Sequence, residues 1–317
     1  SDGAFNLSNF WDTLTDQAVK AVSQEATKLS LAFSKPPLPS QQDGEKLADS
    51  IMKSILTLST VYYWLPKSQG LALRRLVRDA TVDVLEGVAQ LVEVIMSSPL
   101  ESLSQEQLMS TGGVWSACDQ FPQLSKDNKA AVVVVLSCEI RVVKDAIEEI
   151  EQALAEGEDP FNDVLDDDQD GDEPRGNQDT YWSENDRQVI GACQGLIKAA
   201  AACLRKLTSA VKSNGDFSTP QNVSQLDDLA DISKEISPGV DDLALCLYPP
   251  MDYNGVETNV RHTLSPNGIK NVLVTALIKS SQSHHVCGES ELTWVQFLDG
   301  AIDHNLQKAK DLIQQES

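Results

Sequence analysis

Apolar residues recur every three or four positions along most of this 317-residue chain, which is the spacing of one buried face of an α-helix. In the first half this pattern, with its capping and proline signals, predicts long helices over residues 7–33, 40–65, 69–96 and 126–155. In the second half it predicts helices over residues 183–211, 226–236, 240–247, 265–283 and 290–313. We therefore expect an all-α protein of about ten helices packed as antiparallel bundles.

Four local signals refine these boundaries. Ser104 and Gln107 have the spacing of a capping box, but Gly112 and Gly113 interrupt the pattern that follows. We expect two short helices between residues 104 and 121. In the second half, Ser183 with Asp186 predicts a helix start, Pro238 a helix end, and Ser265 an N-cap followed by Pro266.

A strongly acidic stretch separates the two helical halves. Residues 156–186 hold thirteen Asp and Glu against one Arg, Arg175, which is a net charge of about −12. Its few apolar residues cannot offset the entropy of ordering the segment. We expect an N-terminal bundle over residues 1–155, an acidic flexible linker over 156–182, and a C-terminal bundle over 183–317.

The overall charge limits the classes of partner. The net charge is −23 and the isoelectric point is about 4.4, which argues against binding nucleic acid or an anionic membrane surface. No apolar run approaches the roughly 20 residues that span a bilayer. The six cysteines are spread singly, without a Cys-x-x-Cys pair, as is typical of reduced buried thiols. We expect a soluble intracellular protein whose electrostatic partners are basic.

Two stretches resemble metal sites without completing one. Asp166, Asp168, Asp170 and Gly171 match the opening of an EF-hand calcium loop, but Asn177 stands where a bidentate acid is needed. The second stretch is residues 284–287, where His284, His285 and Cys287 offer three potential zinc ligands. Zinc needs ligands that converge from separate segments, and the other candidates, His262, His304 and Cys246, show no paired spacing. We therefore predict no metal and no cofactor.

No sequence pattern indicates catalysis. The chain has no Gly-rich phosphate loop, no Gly-x-Ser-x-Gly elbow and no His-Glu-x-x-His motif. Its carboxylates fall mostly on polar helix faces. We predict no catalytic residues and no enzymatic activity.

Short docking motifs are present, but they lie in a predicted linker between helices or within predicted helices. Residues 36–39 contain the PxxP spacing without a flanking basic residue in either usual register, which favours a linker between helices. Residues 74–76 and 205–207 fit the Arg-x-Leu pattern that docks on cyclins. Each lies within a predicted helix whose Leu belongs to the buried stripe, so docking as an extended peptide would require unfolding.

Several longer stretches resemble the cyclin-D-binding protein family, also called Grap-and-cyclin-D-interacting protein. The resemblance covers nearly the whole chain. In the first half it rests on residues 61–70, 73–78 and 127–131, and in the second on residues 181–184, 225–228, 236–244, 248–251 and 301–304.

The resemblance implies an all-helical, non-enzymatic regulator of the cell cycle. Family members are described as binding D-type cyclins, helix-loop-helix regulators and a Grap-type adaptor protein, and as lowering phosphorylation of the retinoblastoma protein. They are placed in the cytoplasm and the nucleus. The residues leave an alternative open, a helical scaffold that binds basic partners through the acidic linker, and also a metal-dependent function.

Overall fold

A computed structural model describes residues 5–97, 104–156, 182–260 and 268–315. These residues are largely α-helical and contain no strand, so the predicted all-α class with about ten helices is confirmed. No helix among them is long and apolar enough to cross a membrane. The predicted linker, apart from Glu156 and Trp182, lies outside the described residues. The predicted domain boundaries and the arrangement into two bundles stay predictions.

The chain divides into two compact units, residues 1–131 and 132–317. Helices that begin in the first unit are α1 (Leu7–Asp12), α2 (Lys20–Ala32), α3 (Gln41–Trp64), α4 (Leu71–Ser97), α5 (Gln105–Asp119) and α6 (Asn128–Glu156). Those of the second unit are α7 (Glu184–Asn214), α8 (Pro220–Ser233), α9 (Ile236–Leu245), α10 (Tyr253–Val260), α11 (Ile269–Gln282) and α12 (Glu289–Gln314). The division falls inside α6.

In the first unit α2 packs against α3 and α5, and α5 packs along α4. The contact between α3 and α4 is less extensive. Fully buried side chains such as Leu14, Leu58 and Leu73 fill the centre. An open groove lies between α3 and α4.

The first predicted helix is interrupted by a π-helical segment, Thr13–Val19, between α1 and α2. Buried residues of this helix recur at steps of four: Phe10, Leu14, Ala18, Val22 and Ala26. Steps of four exceed the 3.6 residues of an α-helical turn, so the apolar stripe would rotate away from the core. The wider π-helical turns correct that rotation, which periodicity alone does not reveal.

The prediction of two short helices between residues 104 and 121 is wrong, because α5 continues through Gly112 and Gly113. Thr111, Val114 and Cys118 on the same helix are buried, and this packing outweighs the weak helix propensity of two glycines. Ser104 does cap the helix, its Oγ accepting from the Gln107 N–H at 3.1 Å. The Gln107 side chain instead donates to the Ser30 carbonyl at 2.9 Å, so no full capping box forms.

In the second unit α7 packs along α12, while α11 contacts α7, α8, α9 and α12. The predicted start of α7 is confirmed: the Ser183 Oγ accepts from the Asp186 N–H, and the Asp186 carboxylate accepts from the Ser183 N–H at 2.7 Å. Buried residues line most of α7, including Ile190, Leu196, Ile197 and Leu204. This helix is the centre of the second core.

Two predicted boundaries in the second unit are wrong. Pro238 does not end a helix but lies in the first turn of α9, where the missing N–H would have no intrahelical acceptor in any case. The preceding helix, α8, has already ended at Ser233. The helix predicted over residues 265–283 is also shorter at its start, because α11 begins at Ile269 after Gly268. The predicted cap at Ser265 lies outside the described residues. The short helix α10 was not predicted.

Candidate functional site

An open apolar groove of about 610 Å³ lies between α3 and α4 in the first unit. Its walls combine branched aliphatic side chains with methionines at the exposed edge and little polar surface. The lining residues are Ile51, Met52 and Ile55 from α3 and Leu85, Val88, Ala89, Val92, Glu93, Met96 and Ser97 from α4. A groove of this size and composition suits an apolar segment of another molecule.

The groove is exposed to solvent. Met52 is 56% exposed and Met96 is 80% exposed, although both are large apolar side chains. Each buried CH₂ contributes roughly 0.8 kcal/mol, so covering this surface would be favourable. Methionine side chains also adapt to varied partners. Contiguous exposed apolar surface of this kind marks sites of protein association.

The groove exists because α4 has two apolar faces. One face is buried in the first unit through residues such as Leu73, Val84 and Leu91. The other carries a second row at alternating steps of three and four, namely Val82, Leu85, Ala89, Val92 and Met96. This is the repeat by which one helix packs along another. The first row was predicted from the sequence, and the second was missed. The sequence signal for the second row is that α4 has apolar residues on two faces.

The α4 side of the groove rim is acidic. Glu86 and Glu93 lie beside the second row on the exposed flank of α4. On the corresponding flank of α3, Glu45 and Asp49 lie two turns and one turn before Met52, next to the exposed Lys46 and Lys53. Arg78 stands at the N-terminal end of the row, where it pairs with Asp79 at 2.8 Å. The negative charge of the rim is therefore concentrated on its α4 side, whereas the α3 side carries both acids and lysines.

The end of α3 presents a second, smaller apolar surface. Tyr63 and Trp64 are 73% and 57% exposed, and Trp64 borders two shallow depressions, one lined with Leu56 and one with Phe5. Exposed aromatic residues are frequent hot spots of protein interfaces. These depressions are smaller than the α3–α4 groove.

The Arg-x-Leu motifs lie within helices. Leu76 is half-buried in α4, and Arg74 lies over the Tyr62 ring, 5.2 Å from its centroid. Leu207 is fully buried in α7, beneath the exposed Arg205 and Lys206. Neither leucine can dock as part of an extended peptide while its helix is intact.

The residues considered for zinc do not converge: no group of three His, Cys, Asp or Glu suited to a metal occurs within the described ranges. Cys287 is buried, and burial raises the pKa of its thiol to about 11. The His285 Nδ1 accepts from the Asp216 backbone N–H at 3.1 Å. The candidate calcium loop and His262 lie outside the described residues.

Stretches that carry the family resemblance meet inside each unit. In the first, Asn128 packs against Gly70 and its Oδ1 accepts from the Leu73 N–H at 3.0 Å. In the second, the ring centroids of Trp182 and Tyr248 lie 6.5 Å apart, and the Trp182 Nε1 donates to the carbonyl of the preceding Leu247 at 2.6 Å. These residues hold helix ends together, so their immediate role is structural.

Comparison with known proteins gives a consistent result. Residues 14–156 match the family model described as "Grap2 and cyclin-D-interacting, N-terminal", and residues 165–267 match its C-terminal counterpart. The chain is 58% identical to "Cyclin-D1-binding protein 1 homolog" of Danio rerio, over 100% of this chain and 90% of that protein.

Other relatives agree. The corresponding homolog of Xenopus laevis is 56% identical over 98% of this chain and 91% of its own length. "Cyclin-D1-binding protein 1" of Homo sapiens is 42% identical over 98% of this chain and 86% of its own length. On the family models and these relatives together, the chain belongs to the Grap2 and cyclin-D-interacting protein family.

Proposed function

We propose that this protein is a non-enzymatic regulator that binds a D-type cyclin, and that the α3–α4 groove is the surface it uses. The observation that supports binding is the similarity of the entire chain to relatives named for cyclin D1 binding. The matched N-terminal family region, residues 14–156, includes both helices of the groove. The exposed Met52 and Met96 support the choice of surface.

The physical basis of binding would be burial of the second apolar row of α4. A partner that covers Leu85, Ala89 and Val92 removes apolar area from water at roughly 25 cal/mol per Å². The two exposed methionines at the edges would contribute most because they have the most exposed area to lose. The acidic rim would select among partners by charge and speed their encounter.

The consequences of binding belong to the same proposal. By family resemblance, binding of this protein to a D-type cyclin would lower phosphorylation of the retinoblastoma protein and restrain cell-cycle transcription. Helix-loop-helix regulators and a Grap-type adaptor are proposed as further partners. The proposed locations are the cytoplasm and the nucleus, where those partners would be met.

A substitution inside the groove tests the proposal. Ala89 is exposed on α4, so Ala89→Arg keeps a good helix former while placing a long charged side chain on the groove surface. We expect calorimetric titration with a purified D-type cyclin to show binding by the wild type and at least about tenfold weaker binding by Ala89→Arg. The matched control is Ala155→Arg, on an exposed position of α6. Equal affinity of all three proteins would exclude the groove, and no binding by the wild type would contradict the cyclin proposal.

A second candidate function follows from the charge of residues 156–186, which carry about −12 of the net −23. In that case the protein is a helical scaffold whose acidic segment binds basic partners. Binding through this segment would weaken steeply above about 0.15 M salt, where the Debye length is about 8 Å. Binding through the apolar groove would change much less. Replacing residues 157–181 with a neutral linker distinguishes the two, because only the scaffold would lose its partner.

A further inference from the structure

The shape of the α3–α4 groove fits one helix. Val82, Leu85, Ala89, Val92 and Met96 recur at steps of three, four, three and four along one side of α4. Ile51, Met52 and Ile55 face them from α3. An α-helix laid between two helices inserts its own apolar residues, spaced in the same way, into the holes of such rows.

The length of the groove sets the length of its occupant. The row on α4 extends over fourteen residue steps, from Val82 to Met96, which is about 21 Å at 1.5 Å per residue. About four helical turns of a partner would cover it. An extended strand would leave its backbone N–H and C=O groups against apolar walls without partners, because among the described residues the lining offers polar side chains only at Glu93 and Ser97.

The charge of the rim identifies the chemistry of that helix. Glu86 and Glu93 give the α4 side of the groove its negative charge, whereas on the α3 side Lys46 and Lys53 stand beside Glu45 and Asp49. Lys or Arg beside the apolar residues of an incoming helix would pair with these acids, whereas Asp or Glu there would be repelled. A second copy of this chain is disfavoured as the occupant, because the two acidic rims and two net charges of −23 would meet.

We propose that the α3–α4 groove binds a single amphipathic α-helix of the partner protein, with apolar residues every three and four positions and Lys or Arg at the positions that flank them. This inference rests on the proposed function, since it specifies which part of a partner enters the same groove. It adds the conformation, the spacing and the charge of the bound segment.

Two synthetic peptides of about two heptads, the length that covers the groove, test the proposal. Both carry Leu at the apolar positions and Ala or Gln at the outward positions, and they differ only in having Lys or Glu at the flanking positions. Fluorescence anisotropy with the full chain, at peptide concentrations shown to be monomeric by ultracentrifugation, should give binding of the Lys peptide and at least about tenfold weaker binding of the Glu peptide. Equal binding of both peptides would overturn the proposal.

Charge reversal of the rim locates the site. The double variant Glu86→Lys, Glu93→Lys should weaken the Lys peptide about tenfold and strengthen the Glu peptide. The control Asp145→Lys, Glu148→Lys changes the same total charge at exposed positions of α6 and should leave both affinities unchanged within about twofold. An equal effect of the two double variants would show non-specific attraction to an acidic protein and would overturn the proposal.

The outcome separates this inference from the proposed function. If a D-type cyclin binds and Ala89→Arg weakens it, but the Lys peptide neither binds nor competes, the groove function stands and the helical, basic occupant is wrong. If the Lys peptide binds the groove and no D-type cyclin does, the helix-binding groove stands and the cyclin assignment is wrong.

Discussion

At the scale of single residues, Gly70 and Asn128 form a tightly packed contact in the first unit. Gly70 has φ +112°, a conformation that L side chains rarely adopt. The Asn128 amide fills the space where a Cβ at Gly70 would lie, and it accepts from the N–H of Leu73 in the first turn of α4. Neither role is readable from the sequence, because the two residues lie far apart in it.

We expect Gly70→Ala to destabilise the first unit by at least about 2 kcal/mol, because it combines backbone strain with overlap on a buried amide. Asn128→Ala should cost about 1–3 kcal/mol, since it leaves a buried N–H without this acceptor. Urea unfolding followed by circular dichroism measures both losses. Asn128→Asp retains an acceptor and should lose less; if it loses as much as Asn128→Ala, capping is not the role of Asn128.

His285 makes the stability of the second unit dependent on pH. Burial lowers the pKa of its imidazole below the usual 6.5, and its Nδ1 accepts a backbone N–H from Asp216. Protonation would replace that acceptor with a donor. The folded state binds the proton less readily than the unfolded state. The stabilisation that neutral His285 gives the second unit is therefore fully present above pH 6.5 and is lost as the pH falls through the folded-state pKa.

The melting temperature should therefore fall more steeply for the wild type than for His285→Asn as the pH is lowered from about 7.5 to about 5, an interval that spans the usual imidazole pKa. Asn keeps an acceptor but does not titrate. Differential scanning calorimetry at several pH values gives the comparison. Parallel pH profiles for the two proteins would show that His285 is not responsible.

At the scale of helices, periodicity identified the long elements and failed where packing overrides local preference. The heptad-like rows of α4 and the capping box of α7 are local features, and the first row and the cap were predicted correctly. Continuity of α5 through Gly112 and Gly113 depends on buried contacts of Thr111 and Val114. The π-helical turns after α1 likewise depend on tertiary packing, because they keep buried residues spaced by four on the side that faces the core.

The two glycines of α5 provide a test at this scale. A Cβ added at either position would meet nothing within 4 Å. We expect Gly112→Ala and Gly113→Ala each to stabilise the protein by roughly 0.5–1 kcal/mol, because alanine loses less backbone entropy in a helix. Thermal unfolding of the single and double variants measures the gain. A loss of stability in either would mean that α5 bends at that position.

At the scale of the whole molecule, the family and the all-helical class could be predicted from the sequence, whereas the proposed binding surface could not. A stripe of apolar residues that packs in a core and one that awaits a partner have the same period. Only the structure shows that Leu85, Ala89 and Val92 line an open groove while Val84 and Leu91 are buried. The Arg-x-Leu motifs, which a sequence search would favour, lie within intact helices.

Hydrogen–deuterium exchange of the full chain with and without a saturating D-type cyclin tests the central claim most directly. We expect slower exchange in the complex over residues 48–55 of α3 and 82–96 of α4, and a smaller change for Ala89→Arg at the cyclin concentration that just saturates the wild type. Slower exchange confined to residues 156–182, or confined to the helices of the second unit, would contradict it.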